Sequence, residues 1–260
     1  MAAFAWYTDY GISTNPNRQD KHGNTMLMKA VKKGDTDLVN TLIKLKHISL
    51  DKSNRNDDTA LVLAIKHGHL HIADKLISAG ANLNIGNSLA IAITHGYVDL
   101  AMRIVSMGAI CNKKDENDQT PLTIATERNY TDLVKHMLQS TDHIIKDLIK
   151  PLRPTDYSCK VIHKACLNSQ NSNGETVLMK AVKGNNIMLV DQIIAEGANI
   201  NKRNNNGDTA IMIAVKMNSI ELVNRLLDAR ANIRLRNANG HLAIDMTDNE
   251  MIISALNAHI

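Results

Sequence analysis

Aromatic side chains are scarce in this sequence, seven among 260 residues or 3%. Binders of single-stranded nucleic acid need several exposed rings for base stacking, and sandwiches and barrels usually fill their cores with aromatic and β-branched side chains. Both classes are disfavoured, and nucleic acid is the weaker choice of partner. Cysteine occurs three times, as Cys111, Cys159 and Cys166, an odd number without disulfide-rich spacing that fits thiols in a reducing compartment; cytoplasm is the expected location. No stretch approaches the roughly 18 apolar residues of a membrane span, and the first twenty residues have neither a basic leader nor an apolar leader core. Neither membrane spanning nor secretion by the usual leader is expected. There is no glycine-rich phosphate loop followed by lysine, no G-x-S-x-G and no H-E-x-x-H, so no catalytic residue and no cofactor are expected. Excess charge of one sign is also missing. Thirty basic groups against 26 acidic ones give a net +4, which favours only weak steering toward acidic partners.

Apolar residues are plentiful at 44%, with 22% charged, too apolar for a disordered chain. They are organised by a repeat. Gly23-Asn24-Thr25-Met26-Leu27 with Ala30 recurs as Asp57-Asp58-Thr59-Ala60-Leu61 with Ala64, and as Asp118-Gln119-Thr120-Pro121-Leu122 with Ala125. It returns as Gly174-Glu175-Thr176-Val177-Leu178 with Ala181 and as Gly207-Asp208-Thr209-Ala210-Ile211 with Ala214. A divergent copy lies at Asn87-Ser88-Leu89 with Ala92, and a partial one at Gly240-His241-Leu242-Ala243-Ile244. Counted from the threonine position, the steps are 34, 28, 33, 56, 33 and 33 residues.

Each threonine is placed to cap a helix by accepting an otherwise unpaired N–H, and proline suits the first helical turn because it has no N–H to lose. Leu27, Ala30 and Val31, like Leu61, Ala64 and Ile65, share one helical face, where the small alanine permits a close neighbour. A second helix follows from the i, i+1, i+4, i+5 spacing of Leu38, Val39, Leu42 and Ile43, repeated at Leu189, Val190, Ile193 and Ile194 and at Leu222, Val223, Leu226 and Leu227.

With Thr120-Pro121-Leu122-Thr123-Ile124-Ala125 for the first half, and Gly80-Ala81-Asn82-Leu83-Asn84 and Gly197-Ala198-Asn199-Ile200-Asn201 for the second, the chain resembles the ankyrin-repeat family, whose period is about 33 residues. The resemblance implies an all-α solenoid of about six repeats plus a partial C-terminal repeat, in which stacking supplies the core that no single unit can build. The expected organisation is an N-terminal aromatic cap at 1–20, repeats at 21–141, a non-consensus helix pair at 142–170, repeats at 171–236 and a partial capping repeat at 237–260. The cap rests on Phe4, Trp6, Tyr7 and Tyr10, four of the seven aromatic residues, read either as cover for the first repeat or as an anchor for a partner. The 28-residue step predicts a shortened hairpin before the third repeat. The 56-residue step accommodates the extra pair, from Ile144, Ile145, Leu148 and Ile149 before Pro151 and from Val161, Ile162, Ala165 and Cys166 after Pro154; it either keeps the stack continuous or bends it. Cys159, His163 and Cys166 share a face of the second of these helices, and packing is preferred over a metal or Cys–His site because no fourth ligand or orienting acid is near in sequence.

The resemblance also implies that a partner protein is held by hairpin tips and first-helix ends. In register, the tips are Lys21, His22 and Asn24; Arg55, Asn56 and Asp58; Glu116, Asn117 and Gln119; Ser172, Asn173 and Glu175; and Asn205, Asn206 and Asp208. The helix ends carry Lys32 and Lys33; Lys66 and His67; Thr94 and His95; Glu127 and Arg128; Lys183; and Lys216 with Met217. The recurring lysine reads either as a solvated face or as a basic stripe for an acidic protein segment. The leading expectation is a non-enzymatic scaffold. A leaderless bacterial effector aimed at a host protein, and the substrate-docking arm of an enzyme, are the alternatives.

Overall fold

The computed structural model describes residues 15–111, 113–148 and 167–259, and every regular element among them is helical. The chain divides into two compact units, Met1–Ile110 and Cys111–Ile260.

The first unit contains α1 (Met26–Lys33), α2 (Thr36–Ile43), α3 (Ala60–Lys66), α4 (Leu70–Ser78), α5 (Ser88–Thr94) and α6 (Val98–Ser106). Thr25 and Thr59 sit in extended backbone and accept the N–H of Met28 and Val62, which starts α1 and α3 where the sequence predicts. Each first helix pairs with the second helix that follows it; α1 also packs on α3 and α3 on α5, while α2 packs on α4 and α4 on α6. The contact between first helices is alanine-lined, since Ala30, Ala64 and Ala92 have no exposed surface. Leu38, Val39 and Leu42 of α2, and Ile72, Ala73, Leu76 and Ile77 of α4, bury the inner stripe of the second layer.

The short second step, which leads into the third repeat, has a structural counterpart. Asn87 caps α5 from the left-handed region, with φ of 58°, instead of from extended backbone. The turn before it folds directly onto the preceding repeat. Gly86, at φ +69°, leaves room for nothing larger, because a Cβ there lies 2.8 Å from Val62 Cγ2 and 3.1 Å from the Asp57 carbonyl.

The second unit contains α7 (Pro121–Glu127), α8 (Thr131–Leu148), α9 (Val177–Lys183), α10 (Ile187–Ala195), α11 (Ala210–Lys216), α12 (Ile220–Asp228), a 3₁₀ turn at Ala243–Met246 and α13 (Glu250–Asn257). Thr120 caps α7 with Pro121 in the first turn, and Thr176 caps α9. Ala125, Ala181 and Ala214 are again fully buried. First helices stack in the order α7, α9, α11 and then the 3₁₀ turn, while α13 closes over α12 and the 3₁₀ turn. Ile252 and Leu256 of α13 are buried, and Met251 faces outward.

The 56-residue step falls between α7 and α9, and these two helices are direct neighbours. Lys180 Nζ lies 3.2 Å from Glu127 Oε1, and Asn186 Nδ2 donates to Thr131 Oγ1 at 3.0 Å. The stack inside this unit is therefore continuous through α7 and α9 despite the extra chain. α8 runs unbroken to Leu148, so Ile144, Ile145 and Leu148 prolong the second helix of this pair. Val161, Ile162 and Ala165, the Cys159, His163 and Cys166 group, and the aromatic residues Phe4, Trp6, Tyr7 and Tyr10 all lie outside the described residues.

Two alanine substitutions separate steric from conformational cost. Gly80 has φ of +89° and, among the described residues, nothing within 4 Å of a Cβ, so Gly80→Ala should cost only the left-handed penalty of about 1 kcal/mol. Gly86→Ala adds the collision with Val62 and should cost about 2 to 3 kcal/mol. Urea melts of the two variants measure the difference.

Candidate functional site: hairpin tips and the groove of the second unit

One side chain builds each hairpin tip, and it lies five residues before the cap. At Asp20, Asn54, Asp115, Asn171, Asn204 and Asn237, Oδ1 accepts the main-chain N–H groups two and four residues ahead at 2.8–3.0 Å. The same residue's N–H reaches the carbonyl four residues on, which closes the tip. These six residues were not among the sequence-predicted site residues, although an Asp or Asn at that offset is visible in the sequence. Asp20 shows the electrostatic consequence. Partial burial acts to raise its carboxyl, but Lys29 at 3.0 Å and the N–H groups of Asn24 and His22 prevail and hold it at about 2.

Three pairs of adjacent tips are joined through the main chain. Arg55 N–H donates to His22 O at 3.1 Å in the first unit; Asn205 N–H to Asn173 O at 3.0 Å and Ala238 N–H to Asn206 O at 2.9 Å do so in the second. Long side chains add a second tie. Gln19 donates to the Gly23 and Ser53 carbonyls, Gln170 to those of Gly174 and Arg203, and Arg203 to those of Gly207 and Arg236.

The sequence-predicted residues fall into two groups. Lys21, His22, Arg55, Asn56, Glu116, Asn117, Asn173 and Asn206 are exposed at the apices, and Lys32, Lys33, Lys66, His67, His95, Arg128, Lys183 and Lys216 are exposed at first-helix ends. Asn24, Asp58, Glu175 and Asp208 lie beneath the tips and are buried, while Gln119 is half-buried. These positions directly precede the capping threonines and turn inward with them. Gln119 donates instead to Glu127.

The buried acids meet the predicted lysines. Lys66 Nζ is 2.5 Å from Asp58, Lys216 Nζ is 2.6 Å from Asp208, and Lys183 pairs with Glu175. Each partner is eight residues upstream, on the hairpin that introduces the lysine's own helix. The charge of these lysines is thus matched locally. Lys32 has Asn24 at the corresponding place and no such acid. Glu175 also binds Lys180 at 3.0 Å, and Lys180 reaches Glu127. Burial works to raise the Glu175 carboxyl, yet the ammonium groups of Lys183 and Lys180 hold it below its ordinary 4.5. Burial likewise opposes the charge on Lys180, but Glu175 and Glu127 raise its pKa above 10.5.

In the second unit these groups line an open groove of about 590 Å³. Asn173, Glu175 and Lys183 come from one repeat, and Asn206, Asp208 and Lys216 from the next; Ile213 and Met217 supply apolar surface. Eight of the tip and helix-end residues named from the sequence, Asn205 and Met217 included, are brought together here. Met217 is 38% exposed.

The family model described as ankyrin repeats in three copies matches residues 8–87 and 143–237, and one described as ankyrin repeats in many copies matches 89–138. The chain belongs to the ankyrin-repeat family. Among solved structures, the ankyrin-repeat domain of Bcl-3, described as a unique member of the IkappaB protein family, superposes with a TM-score of 0.67 at 20% identity over 91% of this chain and all of that one. The human ASB11 ankyrin-repeat domain gives 0.58 at 20% identity over 91% and 98% of the two chains. A chain from the complex of a predatory endopeptidase of Bdellovibrio bacteriovorus with an immunity protein gives 0.56 at 22% identity over 81% and 99%. No curated protein sequence matches the chain. At these identities the structural likeness establishes a common ankyrin fold.

Among the described residues of this ankyrin chain, no group of three metal-ligating side chains is gathered, and no helix is long and apolar enough to cross a membrane. The ion-pair cluster has a testable pH signature. A carboxyl held below its unfolded value stabilises the fold fully above that value and loses its contribution as pH falls through the depressed one. Stability should therefore decline below about pH 4.5, and Glu175→Gln should flatten that decline in urea melts taken across acidic pH. At neutral pH, Glu175→Ala leaves Lys180 with Glu127 alone and should cost about 3 kcal/mol.

Proposed function

We propose that the chain is a non-enzymatic protein-binding module acting in the cytoplasm, with the groove of the second unit as the principal seat of its partner. The groove is the observation that carries this reading, because polar apices, paired charges and an apolar floor lie within one recess. Sites that hold a protein segment combine an apolar anchor point with a polar rim in this way.

The character of the lysines refines the partner's chemistry. Lys183 and Lys216 remain about half exposed while their acids are buried beneath them, and an ammonium group has three donors, so each lysine can take a carboxylate of the partner as well. Glu175 and Asp208 cancel the long-range field, which makes the attraction local. An acidic segment would then gain orientation and contact from these lysines more than long-range steering.

Selection of random peptides on the immobilised protein tests the groove. Selected ligands should weaken at least about tenfold on Met217→Lys, and comparably on Lys183→Glu with Lys216→Glu. Met251→Lys, at an exposed methionine of α13 outside the groove, should leave them unchanged. Ligands indifferent to all three variants would place the binding surface elsewhere.

A further inference from the structure

Three hairpin apices of the second unit end in the same dipeptide: Asn173-Gly174, Asn206-Gly207 and Asn239-Gly240. Glycine after asparagine offers the least hindered approach of a main-chain nitrogen to the asparagine side-chain carbon, because no Cβ stands in the way. Attack proceeds once that nitrogen has given its proton to a solvent base. A bond forms between the glycine nitrogen and asparagine Cγ, the side-chain nitrogen takes up a proton and leaves as ammonia, and a succinimide ring results. Water then adds to either ring carbonyl and opens the ring to aspartate or isoaspartate. No electrons are exchanged; an amide is replaced by a carboxylate and one negative charge is gained.

The structure grades the three sites. Each attacking nitrogen is tied into its turn: Gly174 N–H donates to Asn171 O at 2.8 Å, Gly207 N–H to Asn204 O at 2.8 Å and Gly240 N–H to Asn237 O at 3.0 Å. Asn173 and Asn206 have a second layer of restraint, since their own carbonyls accept the N–H of Asn205 and Ala238 from the next hairpin. That next hairpin also covers the glycines. A Cβ at Gly174 would lie 2.6 Å from the Asn205 nitrogen, and one at Gly207 would lie 2.5 Å from the Ala238 nitrogen. A Cβ at Gly240 would meet nothing within 4 Å among the described residues. The residues after it form the 3₁₀ turn and α13 instead of another hairpin, and among the described residues no N–H is donated to Asn239 O.

We infer that Asn239 is a site of spontaneous amide-to-acid conversion, and that the stacking of each tip on the next shields Asn173 and Asn206 from the same reaction. Conversion requires local opening of the tip, and opening is easiest where fewest contacts are broken. Isoaspartate adds a methylene to the main chain and cannot preserve the 237-to-241 pairing, so the change alters the shape of the tip as well as its charge. This chemistry is independent of partner binding.

Peptide mapping by mass spectrometry of the folded protein, held in mildly alkaline buffer at body temperature, provides the test. Asn239 should convert about tenfold or more faster than Asn173 and Asn206, and the three rates should converge when the chain is unfolded in urea. Ala238→Pro removes the N–H that restrains Asn206 O, while proline suits this place in the turn. With helix content unchanged by circular dichroism, it should speed Asn206 several-fold. Equal rates in the folded chain, or conversion at all three sites in urea with none at Asn239 in the fold, would overturn the inference.

Discussion

Close approach of one first helix to the next is the constraint on which the rest of each unit depends. Ala30, Ala64 and Ala92 in the first unit, and Ala125, Ala181 and Ala214 in the second, carry no exposed surface and keep those helices in contact. Helices set this close bring their capping threonines into register, and the threonines bring the hairpins with them. Only then can one tip donate a main-chain hydrogen bond to its neighbour. Burial supplies the cohesion and the polar tips supply the alignment.

Local charge matching follows from the same geometry. The residue before each cap is carried inward with the threonine, and the end of the helix above it places a lysine within reach. Asp58 with Lys66, Glu175 with Lys183 and Asp208 with Lys216 repeat this arrangement. A lysine matched in this way by an acid beneath it costs little in repulsion against its like-charged neighbours, and each of the three keeps nearly half of its side chain in solvent.

Much of the fold was legible because its signals are local. Threonine caps, the buried alanine and the apolar stripes of the second helices follow directly from helical periodicity, and the family's turn sequences fix the order of elements. The site was less legible because its interactions cross element boundaries. Asn54 or Asn204 looks like any polar loop residue until its Oδ1 is seen to accept two N–H groups ahead of it. Glu175 looks like an exposed tip residue until the turn carries it beneath Lys183 and Lys180. Arg230 is similar: it has φ of +63° at the place where Gly80 and Gly197 end the corresponding helices, so tertiary context overrides the usual glycine preference there.

The adjacency of α7 and α9 carries a lesson about how this chain tolerates growth. Their capping threonines, Thr120 and Thr176, are 56 residues apart, whereas Thr176 and Thr209, which serve the next interface, are 33 apart. Loop-closure entropy rises only with the logarithm of span, so the longer excursion adds about 0.5 kcal/mol, less than a typical hydrogen bond contributes. An array held together by nearest neighbours can therefore take in new chain between two modules at almost no thermodynamic cost, provided that both faces of the seam still meet.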